Sequence, residues 1–154
     1  MRGLKIITIL LLGIIMNSCN QENKKEESAL LFPKGEKIEN DHFTGTVYLE
    51  MLAFPDSINQ NVVGSVTFEP GARTNWHLHL AGQIIIAIDG EGYYQEKGSE
   101  KQTIKKGETV KCPPNIPHWH GAAENSKFIQ IAIGGVEKGP VEWMETVSDE
   151  EYNK

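Results

Sequence analysis

Two His-x-His pairs constrain this chain more than any other feature. His77 and His79 lie in GARTNWHLHLAGQIIIAIDG (71–90), and His118 and His120 lie in GETVKCPPNIPHWHG (107–121). Positions two apart on a strand share a face. Each pair therefore sends both imidazoles the same way, into one pocket, with Gln83 four residues beyond His79. Neutral imidazole is the commonest protein ligand for a transition metal, and three or four convergent rings hold one firmly. Four histidines of matched parity would be costly to bury with nothing to bind.

The rest of the chain reads as a scaffold of short strands. From Phe43 onward, runs rich in Val, Ile, Thr, Tyr and Phe alternate with turn residues. The expected strands are 44–51, 62–69, 75–79, 83–88, 92–96, 102–105, 109–112, 118–121 and 127–133. The run from Gln83 to Ile88 is almost wholly apolar, which predicts a strand buried on both faces. Asp89-Gly90 predicts a hairpin turn, and Lys97-Gly98-Ser99 a second turn. Pro113, Pro114 and Pro117 exclude a regular central strand over 113–117 and predict a stiff turn that delivers His118. Even spacing of short strands implies a sandwich or barrel. Ser148 followed three residues on by Glu151 is a capping box, so a short helix is expected over 149–152. Trp143 and Met144 are expected to pack the chain end onto the barrel. Tyr93, Tyr94, Trp76 and Trp119 read as packing residues, Arg73 as a turn cation and His42 as exposed.

The first residues form a separate segment. Arg2 and Lys5 give a basic start, and 6–16 is an apolar run of signal-peptide length. Asn17, Ser18 and Cys19 then resemble a bacterial lipobox, which implies that Cys19 becomes the first mature residue and carries lipid. The expected organisation is a lipoprotein signal over 1–18, a polar tether and run-in over 19–40 and one folded domain over 41–154. The expected location is outside the cytoplasm, lipid-anchored to a bacterial membrane. Without Arg2 and Lys5, 13 of the 15 basic residues remain against 21 acidic ones. That acidic balance, with no basic stripe, argues against nucleic acid as a partner. With Cys19 lipidated, Cys112 has no partner in the chain and reads as a small buried hydrophobe.

The spacing of these motifs carries a family resemblance. Gly71, His77-x-His79, Gln83 and Gly90 resemble the first cupin motif; Gly107, Pro113-x-Asn115 and His118 resemble the second. Two positions depart from the commonest form, with Gln83 where Glu usually stands and Asn115 where Gly often stands. FTGTV (43–47), SVTFEPGART (65–74), HWHGAA (118–123) and VEWMETVSDEEY (141–152) narrow the likeness to small bacterial cupins that include the manganese-dependent hydroxynitrile lyases. The resemblance implies an all-β, single-domain jelly-roll barrel of six to eight strands with a short C-terminal helix. It also implies one divalent ion on His77, His79, Gln83 and His118, with manganese first and iron, nickel or zinc as alternatives. His120 falls on a pocket histidine of that group, and a further pocket histidine of the lyases aligns with Gln130.

Three histidines and a glutamine form a neutral ligand set that leaves both positive charges on the ion, which favours a Lewis-acid role. His120 then reads as a fifth ligand or a free base beside the metal, the base being favoured because Gln83 already completes four protein ligands, and Gln130 as a hydrogen-bonding group that takes no proton at neutral pH. The leading expectation is a metal-dependent carbon–carbon lyase acting on a small hydroxy or carbonyl compound. A quercetinase-like dioxygenase and a non-catalytic ligand-binding or sensing cupin are the alternatives. A homodimer or homotetramer is the expected assembly.

Overall fold

The structure is a computed structural model that describes residues 30–154. The leader, the tether and Cys19 lie outside the described residues. Residues 32–154 form a compact unit. Its twelve strands are β1 (Glu36–Lys37), β2 (Phe43–Thr44), β3 (Val47–Ala53), β4 (Asn61–Phe68), β5 (Arg73–Thr74), β6 (His77–Leu78), β7 (Gln83–Glu96), β8 (Gln102–Lys105), β9 (Thr109–Cys112), β10 (His118–Ala122), β11 (Phe128–Gly135) and β12 (Glu142–Trp143). They are followed by one helix, α1 (Asp149–Asn153). All pairings are antiparallel, and the main path runs β1-β3-β4-β11-β7-β10-β5-β2 in one curled sheet. The jelly-roll expectation holds. The strand count exceeds six to eight because several elements are two-residue pieces at the sheet margins, and β1 comes from the run-in.

The long strand β7 is the spine of this arrangement. Its first half pairs with β11 and β9, and its second half with β10 and β8. Asp89-Gly90 is therefore a corner within one strand and not the expected hairpin. A two-residue reversal of the Asn-Gly type needs positive φ at both positions. Here Gly90 has φ 74°, while Asn115 alone among the described non-glycine residues is positive. One such residue bends the strand from one part of the sheet to the other without turning it back. The two-sided burial expected for 83–88 also fails. Gln83, Ile85 and Ala87 point inward and are buried, whereas Ile84 is exposed. β7 is a half-buried antiparallel strand whose outer face happens to be isoleucine.

Inside the barrel, Val47, Val66, Phe68, Ile85, Tyr94, Ile104 and Phe128 build the main core. A second cluster, Trp76, Trp119, Val147 and Tyr152, lies under α1. The capping box is complete: the Ser148 hydroxyl accepts from the Glu151 amide, and the Glu151 carboxylate accepts from the Ser148 amide. Arg73 is not a solvated turn cation. Its buried guanidinium donates to the Val147 carbonyl and to Asp149 Oδ1 at 2.6 Å, and it lies over the Tyr152 ring. Met144 is exposed, so of the two residues expected to pack the chain end only Trp143 does, and Val147 and Tyr152 hold it further on.

Candidate metal centre

Three of the expected ligands converge. The ligand atoms of His77, His79 and His118 lie within 4.8 Å of one another. They are delivered differently from the single strand expected over 75–79. The chain leaves the sheet after β5, re-enters for His77–Leu78 as β6, and leaves again before His79. His77 and His118 sit opposite each other in the β6–β10 pairing. The proline turn before β10 is present, with Asn115 at φ 60° and its amide donating to the His79 carbonyl at 3.1 Å. Asparagine tolerates this left-handed conformation better than other non-glycine residues, which accounts for Asn115 at a position where glycine is common.

The backbone fixes which nitrogens face the centre. His77 Nδ1 is 3.0 Å from the Asn75 carbonyl and His118 Nδ1 is 2.9 Å from the Ile116 carbonyl. A carbonyl only accepts, so each Nδ1 carries its proton and each Nε2 presents a lone pair. Burial is the main reason that all three rings hold pKa values below the ordinary histidine range, with His79 at about 4 and His77 well down. They are neutral and ready to ligate at physiological pH.

Gln83 completes the group from the first residue of β7. Its Oε1 lies 3.2 Å from His118 Nε2, and the Cys112 thiol donates to the same oxygen at 3.8 Å. A carbonyl oxygen and a bare imidazole nitrogen facing each other at this distance put two lone pairs together. A cation between them relieves that repulsion, so these residues fit a divalent metal ion. Cys112 is buried and free, and burial pushes its thiol up to about 12, so it stays protonated. It is the small buried residue expected, with a polar contact that composition did not reveal.

His120 and Gln130 face the same interior. The His120 ring centroid is 5.2 Å from that of His77 and edge-on to Phe68 at 5.8 Å. Burial, reinforced by the neighbouring His77, His118 and His79, holds its pKa well below the ordinary range. A β-bulge between Ile129 and Gln130 shifts the β11–β7 register, so that Ile129 pairs with Asp89 but Gln130 with Ala87. Both nitrogens of His120 and both amide atoms of Gln130 are buried without a hydrogen-bond partner. Buried polar groups normally find partners, so four unpartnered atoms beside a histidine cluster mark a place for a polar ligand.

A cavity of about 260 Å³ opens onto the cluster. His79 and Gln83 give it a polar end; Leu49, Met51, Val62, Val66, Ala132, Val136, Val141 and Trp143 make the remaining wall apolar. Trp143 packs the chain end onto the barrel as expected, and it also lines this cavity. It pairs with His77 across β12–β6, with ring centroids 4.9 Å apart. His42 is not simply exposed but stacks face to face on Trp143 at 4.5 Å. Neither pairing has a local sequence signal, because both depend on a margin strand returning from the C-terminus.

Known proteins place this geometry in context. Residues 64–134 match the cupin domain family. An (R)-mandelonitrile lyase from Granulicella tundricola is 42% identical over 115 residues, covering 74% of this chain and 88% of that enzyme. A cupin-like protein from Thermotoga maritima superposes with a TM-score of 0.78 at 45% identity, covering 80% of this chain and 94% of that one. A cupin 2 conserved barrel domain protein from Rhodopseudomonas palustris, at 14% identity, has a TM-score of 0.60 over 75% of this chain and 77% of its own, and shows the fold alone.

Proposed function

The chain belongs to the cupin family, as a small cupin resembling the hydroxynitrile lyases, and we propose that it is a metal-dependent lyase that breaks or forms the bond between a carbonyl carbon and cyanide. The observation that carries this reading is the convergence of the His77 and His118 lone pairs with the Gln83 oxygen at the polar end of an apolar cavity. His77, His79, Gln83 and His118 would hold the ion, with manganese the first candidate from the resemblance to the hydroxynitrile lyases and iron, nickel or zinc the alternatives. When bound, the ion supplies Lewis acidity for the negative charge that develops on the substrate oxygen.

The protein's own groups handle the proton and the substrate body. The free lone pair on the neutral His120 ring takes the substrate hydroxyl proton. The carbon–cyanide bond then breaks with its electron pair on cyanide, the carbonyl forms, and the proton passes from His120 to cyanide. The apolar wall with Trp143 accommodates an aromatic or aliphatic substituent and excludes water. Gln130 orients a polar substrate atom by hydrogen bonding, but it cannot shuttle a proton as a histidine would, so turnover is expected to be slow.

Release of benzaldehyde from mandelonitrile by manganese-loaded protein tests the reading. His120→Ala should lose about a hundred- to ten-thousandfold in rate with metal content unchanged, and Gln130→His should raise the rate. Absence of turnover above the metal-free protein in all three would sink the lyase assignment. Oxygen consumption with a flavonol would then indicate a dioxygenase, and tight binding without turnover a binding cupin. We also propose export with a lipid tether at Cys19. Mass spectrometry of the mature N-terminus checks it, and an unmodified N-terminus elsewhere would overturn it.

A further inference from the structure

We propose that Cys112 is a positioning residue: its thiol proton holds the Gln83 side chain with the oxygen, and not the amide nitrogen, turned toward the histidine nitrogens. The inference rests on Gln83 being a ligand. Gln83 and Cys112 are directly paired across β7 and β9, so their side chains share the interior face. Cys112 Sγ stands 3.8 Å from Gln83 Oε1, and that same oxygen is 3.2 Å from His118 Nε2. The Tyr94 hydroxyl, also in contact with the thiol, donates its own proton to Glu96 Oε1 at 3.0 Å. Cys112 and Tyr94 are both 1% exposed, so water does not compete at this contact.

A glutamine amide has two ends of nearly equal size and opposite chemistry. Before metal binds, the bare Nε2 atoms of His77 and His118 favour the wrong end. Turned around, the amide NH₂ would donate to them, satisfy both partners and leave no oxygen for a cation. The thiol opposes that rotation, because turning the amide nitrogen toward it removes the Gln83 oxygen as an acceptor for S–H. Gln83 Oε1 has two lone pairs, so one accepts from Cys112 while the other stays free for the ion. A glutamate at this position would need no such device, since both its ends are oxygen. The pairing of Gln83 with a buried donor is thus a consequence of the neutral ligand set.

The test is Mn²⁺ affinity, read from the loss of the sharp electron paramagnetic resonance signal of free Mn²⁺ on titration, with no turnover involved. Cys112→Ala should bind about tenfold more weakly, in the range typical of groups that orient a ligand. Cys112→Ser, close to cysteine in size and keeping a donor, should bind like the wild type. In a Gln83→Glu background, where the ligand has no wrong end, Cys112→Ala should cost nothing. Equal losses in the serine and alanine variants, or the same alanine loss in the glutamate background, would make the role one of packing and overturn the proposal. Gln83→Ala separates the two levels. If it keeps full affinity, Gln83 is not a ligand and the metal assignment itself falls. If it weakens binding while Cys112→Ala does not, only the positioning role is lost.

Discussion

At the scale of single residues, the proposed function depends on histidines kept neutral by burial. His79 has a pKa of about 4 in the folded chain, against about 6.5 for an unperturbed histidine. Between those values the unfolded chain binds a proton that the folded chain refuses, so stability falls as pH drops through this window and is unaffected above it. His77 and His118 shift in the same direction and add to the effect. Thermal melting of metal-free protein should therefore fall steadily from about pH 6.5 to about pH 4. His79→Gln, which removes one of these groups, should flatten the slope over that interval. An identical slope in wild type and variant would show that acid sensitivity comes from elsewhere. Protonation also competes with metal, but in the folded chain only as pH nears the depressed folded value, so bound ion should be lost near and below about pH 4, later than the onset of destabilisation. The convergence of His77, His79 and His118 was legible because His-x-His spacing is a local pattern, although His79 lies just beyond β6, the strand expected to carry it. The thiol at Gln83 and the indole at His77 were not, because each comes from a different strand and only register brings it there.

At the scale of elements, the instructive case is β7. Asp89-Gly90 has the composition of a tight turn. The structure uses only the glycine's left-handed conformation, and so passes one continuous strand around a corner of the sheet. What decided between the two is long-range pairing with β11 and β10, which a window of local residues does not contain. By contrast β8, β9 and the capping box of α1 were legible, since their signals lie within a few residues. Gly90 and Gly98 give a paired test. Both have positive φ, but a Cβ at Gly90 would fall 1.8 Å from the Lys127 carbonyl oxygen, whereas at Gly98 nothing lies within 4 Å. Gly98→Ala should cost about 1 kcal/mol, the backbone penalty alone. Gly90→Ala should cost at least about 2–3 kcal/mol, because the β7–β11 pairing must also move. Urea midpoints at constant slope measure both, and equal losses would refute the corner's tight contact.

At the scale of the whole molecule, β10 is held between two cores. His118 and His120 project from one face toward the histidine cluster, while Trp119 projects from the other into the cluster under α1. The residues after Val147 are therefore part of what holds β10 in place. Tyr152 is 4% exposed, its hydroxyl donates to the Ala122 carbonyl at the end of β10 at 2.7 Å, and Arg73 covers its ring. Tyr152→Phe leaves that carbonyl unsatisfied and should cost about 1–3 kcal/mol. Tyr152→Ala also empties an aromatic site, and should cost about 3–5 kcal/mol. Because the helix touches β10 on the side away from the histidines, folded Tyr152→Phe should keep wild-type Mn²⁺ affinity at a temperature well below its melting point. Denaturant midpoints and the resonance titration, run on the same preparations, measure the two properties separately. A Tyr152→Phe protein that lost metal affinity while keeping its stability would mean that the C-terminal helix sets the ligand geometry directly, and the division of β10 into a binding face and a supporting face would be wrong.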